Sequence, residues 1–180
     1  WGRIYTLPNL FQIFKYSLTN DLKIEIEENQ EKFIDPYREH SVNSYNSKGE
    51  AQKFIKAHRK YSKEALMEAQ CIVITLGQNE VWFDKNKNIF RGSAPSIDLR
   101  KKYPKRFYIK ELTYNQNKVF LISSINLLRK NNPTVKIILT VSPVPCFASF
   151  ISENIISQGF AGKAILRSVA HEVSRKMGDV

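Results

Sequence analysis

At 180 residues, 42% hydrophobic and 25% charged, the chain has the composition of a soluble globular protein with room for one domain and a sizeable core. No apolar run is long enough to span a bilayer and no secretory pattern opens the chain, so a cytoplasmic setting is the expectation. The formal charge of +11 points to acidic partners, but Lys and Asn are scattered over the whole chain, as a plain compositional bias would leave them, and two cysteines do not make a disulfide framework.

In chain order, Thr6-Leu7-Pro8 predicts a helix start, with Thr6 as cap, proline in the first turn, and Leu10, Phe11, Phe14 and Leu18 as the buried stripe. The stretch LKIEIEENQEKFID reads as two short strands about a polar turn at Glu28-Asn29, and DPYREH as a loop. Ser47 can cap a second helix to about Ala69, with Phe54, Ile55, His58, Tyr61 and Leu66 near one face. Cys71 to Leu76 reads as a fully buried strand, and Glu80 to Lys110 as a long, basic, irregular stretch broken by Pro95 and Pro104. A helix over Thr113 to Lys130 carries Val119, Phe120, Ile122, Ile125, Leu127 and Leu128, and Asn132-Pro133 ends it. Val135 to Val141 is a second buried strand, stopped by Ser142-Pro143-Val144-Pro145. A last helix runs from about Ala161 to Met177, with Ile165, Leu166, Val169 and Val173 inward.

Two near-continuous apolar strands, each preceded by a long helix, predict a doubly wound α/β fold: a parallel sheet with helices on both faces. In such folds ligands sit beyond the carboxyl ends of the strands, where Gly77-Gln78-Asn79-Glu80 and Ser142-Pro143-Val144-Pro145 fall. A carboxamide at a strand end can point an N–H at a developing oxyanion, a contribution of about 2.7–4 kcal/mol in acyl transfer. The bland alternative for Asn79 is an Asx turn or a cap. Gly2, just before a capped helix, is a second candidate donor through its main-chain amide, or else serves a tight turn.

GQNE after a hydrophobic strand resembles the G-x-N-D block of SGNH (GDSL-like) hydrolases, and Gly2 to Thr6 resembles their glycine block. More specifically, GRIYTLPNLFQIF, FIDPYR, VITLGQNEVWF, NNPTVKIILTVSPVPCFASF and GKAILRSVAHEV resemble, in order and over nearly the whole chain, the GSCFA family of that superfamily. The resemblance implies a three-layer, flavodoxin-like (SGNH-type) α/β domain over residues 1–180, incomplete at both ends, with a basic irregular insertion at about 84–110. It implies a serine-dependent acyl-ester hydrolase or acyltransferase, possible substrates being acylated glycans. No metal or organic cofactor is implied. The family's Gly-Ser-Cys-Phe-Ala run would lie before Trp1, and its Asp/His block after Val180. On this reading the fragment supplies the oxyanion side through Gly2 and Asn79 and is itself inactive, with a sheet lacking its first strand and so exposing an edge and apolar surface. Glu80, Trp82, Ser142 and Pro145 are weaker candidates for substrate contact. Lys163 departs from the family's Ser-Lys pattern, having Gly162 before it.

RGSAPS, residues 91–96, looks like a copy of the serine run, but no buried strand precedes it and Pro95 interrupts it, so Ser93 reads as a loop serine. His40 sits in a loop; His58 and His171 are helical. The alternative function is a non-catalytic module that binds an anionic polymer, nucleic acid or acidic glycan, through the basic stretch DLRKKYPKRFYIK at 98–110. A solvated loop is the favoured reading of that stretch, and nucleic acid is not the expected partner. The sequence is silent on oligomeric state.

Overall fold

The computed structural model describes residues 1–19, 21 and 23–178, with Val42 described by its backbone alone. The chain is mixed α/β, with five α-helices and three small sheets among the described residues. Helix α1 is Leu7–Leu18 and α2 Lys48–Glu68; strand β4, Cys71–Leu76, pairs in parallel with β8, Lys136–Val141. Helices α4, Tyr114–Asn131, and α5, Ile155–Met177, flank β8 in sequence. Strands β1, Glu27–Asn29, β2, Lys32–Ile34, and β3, Ser44–Tyr45, form an antiparallel sheet in that order. Leu22, where the sequence reading begins the first strand, lies outside the described residues. The turn falls at Gln30 and Glu31, both with positive φ, rather than at Glu28-Asn29.

The stretch expected to be an irregular insertion is instead ordered. It contains β5, Glu80–Asp84, β6, Ile89–Phe90, the short helix α3, Ile97–Lys102, and β7, Phe107–Glu111, with β5 central in an antiparallel sheet. A buried charge cluster ties this sheet to β1. Arg91 grips Glu27 with both terminal nitrogens, at 3.0 and 2.7 Å. Arg106 donates to Asp84 through Nε and Nη2, at 3.0 and 2.6 Å, and to Glu27 at 2.8 Å. Two cations thus meet two carboxylates with little solvent access, the arrangement that lets buried charge persist. Burial opposes ionisation of Asp84, yet the Arg106 pair holds its carboxyl below the usual carboxylate range. Arg106, counted in the sequence among solvated cations, is therefore an internal strut.

The parallel pair differs from expectation on one face. Ile72, Ile74 and Leu76 pair in register with Ile137, Leu139 and Val141 and pack into the main core. That core also takes Leu10 and Phe14 of α1, Leu121, Ile125 and Leu128 of α4, and Leu166, Val169 and Val173 of α5. The alternate residues, Cys71, Val73 and Thr75 with Lys136, Ile138 and Thr140, are exposed, Val73 at 59% and Ile138 at 49%. Side chains alternate across a strand, so packing the core helices on one face leaves the other open. The strands are half-buried, not fully buried, and helices on both faces are not seen among the described residues.

Helix boundaries follow the capping chemistry. Ser47 accepts from the Glu50 N–H at 3.1 Å, and Thr113 and Gln116 form a capping box on α4. Thr6 occupies the cap position of α1, but its side chain makes no cap bond. Helix α5 begins at Ile155, six residues earlier than the apolar stripe suggests, because Asn154 caps it through the Ser157 N–H at 3.0 Å. On α2 the buried positions are Ala51, Ile55, Ser62 and Leu66; Phe54 and Tyr61 face solvent. On α4 Val119 is exposed and Leu121 takes the inward place.

Candidate functional site

The carboxyl end of β4 is clamped from two sides. The Gln78 N–H donates to the Tyr5 carbonyl at 2.8 Å, and the Lys163 ammonium donates to the Gly77 carbonyl at 2.7 Å. A Cβ at Gly77 would stand 2.9 Å from the Tyr5 oxygen, so only glycine lets the two main chains approach this closely. Burial lowers the Lys163 pKa, with the nearby Cys146 acting in the opposite sense.

Asn79 follows at once and is 4% exposed. Its Oδ1 accepts from Asn117 Nδ2 at 2.6 Å, and its main-chain carbonyl accepts from the Leu112 N–H at 3.0 Å. The orientation is determined from the Asn117 side, whose Nδ2 also reaches the carbonyls of Leu112 and Thr113, at 3.3 and 3.0 Å. With Nδ2 of Asn117 fixed as donor, Asn79 must present its oxygen to it. The Asn79 Nδ2 is left buried, with no hydrogen-bond partner among the described residues. A Cβ at Gly162 of α5 would come within 3.2 Å of the Asn79 Cβ, so α5 lies directly on this residue.

Beyond the strand ends opens a cleft of about 770 Å³. Its walls come from residues 3–6, from Gly77, Gln78, Glu80 and Trp82, from residues 91–94, and from the loop after β8 with Ser142, Pro145, Phe147 and Phe150. Lys163 lines it as well. The structure therefore brings Glu80, Trp82, Ser142 and Pro145 to one cavity. Gly2 lies elsewhere: it has φ 75° and lines an adjoining hollow of about 240 Å³ that shares Tyr5, Gly77 and Gln78 with the cleft. Asn79 is in the lining of neither, although Gln78 and Glu80 on either side of it line the cleft.

Glu80 and Trp82, two residues apart on β5, share one job of anchorage. The Ser149 hydroxyl donates to Glu80 Oε1 at 2.6 Å and the Phe150 N–H to Oε2 at 3.0 Å. The Phe150 ring meets the Trp82 indole edge-on at 5.1 Å, and the Arg100 guanidinium sits over both rings, 5.4 and 5.9 Å from their centres. One carboxylate and one indole thus hold the loop after β8 against the cleft.

Several residues near the cleft were not among the sequence candidates. Ser93, read as a loop serine, lines the cleft with its hydroxyl buried and unpartnered among the described residues. Arg91 lines it too. The run RGSA is visible in sequence, but only the fold shows that it joins the wall of the cleft. His40 lies 3.5 Å from Arg91, and burial followed by that cation pushes its pKa down to about 4. His58, also lowered to about 4 by burial, packs in α2, and His171 is exposed on α5. Neither histidine lines the cleft. Of the basic stretch 98–110, Lys101 and Lys102 face solvent, whereas Arg100 and Arg106 are committed internally. Among the described residues no group of three or more His, Cys, Asp or Glu side chains is placed to hold a metal ion, and no helix is long and apolar enough to cross a membrane.

Comparison with curated proteins gave no match, and comparison with solved structures gave none. The strand-end clamp at Gly77, the Glu80–Trp82 anchor and the Pro-Val-Pro loop over the cleft are built by the segments that carry the GSCFA resemblance. The GSCFA family model matches residues 1–180, the whole chain, and the protein belongs to the GSCFA family.

Proposed function

We propose that this chain is the oxyanion side of an SGNH-type acyl-ester hydrolase or acyltransferase, built on a three-layer fold of the flavodoxin kind and acting on acylated sugars or glycans. A serine hydroxyl adds to the ester carbonyl, a histidine takes its proton, and the carbonyl oxygen becomes a tetrahedral oxyanion. The donors to that charge on the family pattern are the Asn79 Nδ2 and the Gly2 amide, the latter reaching in from the hollow that adjoins the cleft. Collapse of the intermediate expels the alcohol, which recovers a proton from the histidine. The serine and histidine belong, on this reading, to segments outside these 180 residues.

One observation carries the proposal: the spare donor of Asn79. A buried N–H without a partner costs about 1–3 kcal/mol, and such groups persist where something other than folding retains them. Here it stands at the carboxyl end of a parallel strand, between two residues that line the cleft. The test is Asn79→Ala in the reading frame that encodes this chain, assayed on p-nitrophenyl esters. Loss of one oxyanion donor lowers kcat by about 10²–10³-fold. Unchanged kcat in a folded variant rejects the assignment. The 180-residue chain alone is expected to show no turnover; turnover removed by Ser93→Ala or His40→Ala would move the nucleophile into this chain.

A further inference from the structure

Beside the cleft lies another hollow, of about 360 Å³, open to solvent and bounded by the loop after β8 and the first turns of α5. The two adjoin, since Ser142, Val144, Pro145 and Lys163 line both. The walls of this hollow are apolar: Val144 and Pro145 on one side, Ile155, Ile156 and Phe160 on the other. Ile156 and Phe160 stand one helical turn apart on the same face of α5, and they are 69% and 74% exposed. Large apolar side chains held open over a concavity are uncommon on a protein surface and mark binding sites. The polar groups are few, and the charged one is Lys163, placed where the hollow meets the cleft. Its size falls within the range of about 300–1,000 Å³ usual for small-molecule sites.

Apolar walls that end on one ammonium complement an amphiphile with a hydrocarbon tail and a carbonyl or carboxylate head. We propose that this hollow is an acyl-chain subsite, with the Lys163 ammonium at the carboxyl end and Ile156 and Phe160 along the hydrocarbon chain. The inference rests on the acyl-ester reading of the adjoining cleft and narrows its substrate to esters of medium-length aliphatic acids. A second copy of this chain is a poor occupant, because it would set a charge of +11 against +11.

Cys146 reports occupancy directly. It lines the hollow, and its sulfur would lie 3.9 Å from a Cβ built at Gly159. In a Cys71→Ser background, the rate of Cys146 alkylation by iodoacetamide is measured against added decanoate and butyrate. The six extra methylenes of decanoate, if fully buried, should lower the concentration for half-protection on the order of 10³-fold relative to butyrate. The pair of changes Ile156→Asp and Phe160→Asp, both at exposed positions, should abolish protection without shifting the melting temperature. Displacement of bound cis-parinarate by the two acids should give the same ranking without reference to the thiol. Equal effects of decanoate and butyrate, no effect of either in both assays, or full protection retained in the double variant would overturn the subsite. No step of this test involves turnover, so an inactive esterase leaves it standing, and its failure leaves the Asn79 assay standing.

Discussion

Replacing Asn79 by leucine should raise stability while removing activity. Leucine reproduces the branched shape of asparagine, so the Cβ facing Gly162 is unchanged and no large cavity opens. The change deletes one hydrogen bond, the 2.6 Å contact from Asn117, with a net loss of about 0.5–1.5 kcal/mol. It also deletes the buried, unpartnered Nδ2, whose desolvation penalty is about 1–3 kcal/mol. Asn117 retains the carbonyls of Leu112 and Thr113 for its two N–H hydrogens. The balance is a gain of about 1 kcal/mol, or some 2–4 °C in melting temperature for a chain of this size. Asn117→Leu is the control: it also deletes an unpartnered buried oxygen, its own Oδ1, but strands both the Asn79 oxygen and the Leu112 carbonyl while the Thr113 carbonyl keeps the main-chain N–H of residue 117, and should destabilise by about 1–3 kcal/mol. Urea unfolding of the two variants beside the parent reads both numbers, and ester turnover in the encoding reading frame reads the function. Should Asn79→Leu destabilise as much as Asn117→Leu, or retain kcat, the asparagine is a structural bracket and the spare-donor argument fails.

Arg91→Met should destabilise by about 3–5 kcal/mol in urea, because it leaves Glu27 and Asp84 buried with one cation between them. Arg106→Glu should do the same, whereas Lys101→Glu and Lys102→Glu should leave the unfolding midpoint unchanged; a polymer-binding surface on this stretch would instead lose salt-sensitive binding in all three. Acidification should weaken the fold between about pH 6.5 and pH 4, since His40 and His58 are held neutral in the native state with values near 4 and take up protons on unfolding. Asp35 works in the opposite direction: burial raises it to about 6, so its contribution is greatest at low pH and fades as pH rises through 6. His58→Gln should therefore flatten the acid limb of stability against pH and Asp35→Asn should steepen it, and the reverse order would refute both assignments. Glu80→Ala removes two bonds to a carboxylate, each worth about 1.5–3 kcal/mol, and should speed proteolysis within residues 147–151 by at least about tenfold. Equal cleavage rates would show that Trp82 and Arg100 hold the loop without it.

Elements with local causes were legible from the chain. Ser47, Thr113 and the first-turn Pro8 marked helix starts, because capping and proline geometry act over three or four residues. Runs of β-branched and aliphatic residues marked β4 and β8, and their spacing around α4 announced a parallel pair. The strand-end positions Gly77, Glu80, Ser142 and Pro145 were picked out because open α/β sheets expose their carboxyl ends, Trp82 because it falls in the family block, and all five line one cleft. The ordering of residues 84–110 was hidden, since its stability comes from Glu27, more than fifty residues earlier, meeting Arg91 and Arg106. The inward face of α2 was legible only in part: Ile55 and Leu66 point inward as expected, but Phe54 and Tyr61, which have the apolar character of core residues, face solvent, and Ala51 joins Ile55 against Tyr16 and Tyr37.

Local chemistry, then, was enough to determine where α1, α2, α4, β4 and β8 begin, which family pattern the chain carries and which strand ends hold polar groups, because each of those depends on neighbours in sequence. Partnership was decided only by tertiary packing. Whether Asn79 has a spare donor depends on Asn117, whether Ser93 is buried depends on the wall it joins, and whether a cation is solvated or a strut depends on a carboxylate from another sheet. Burial and hydrogen bonding are properties of what surrounds a group in space, and the chain's order alone does not carry them.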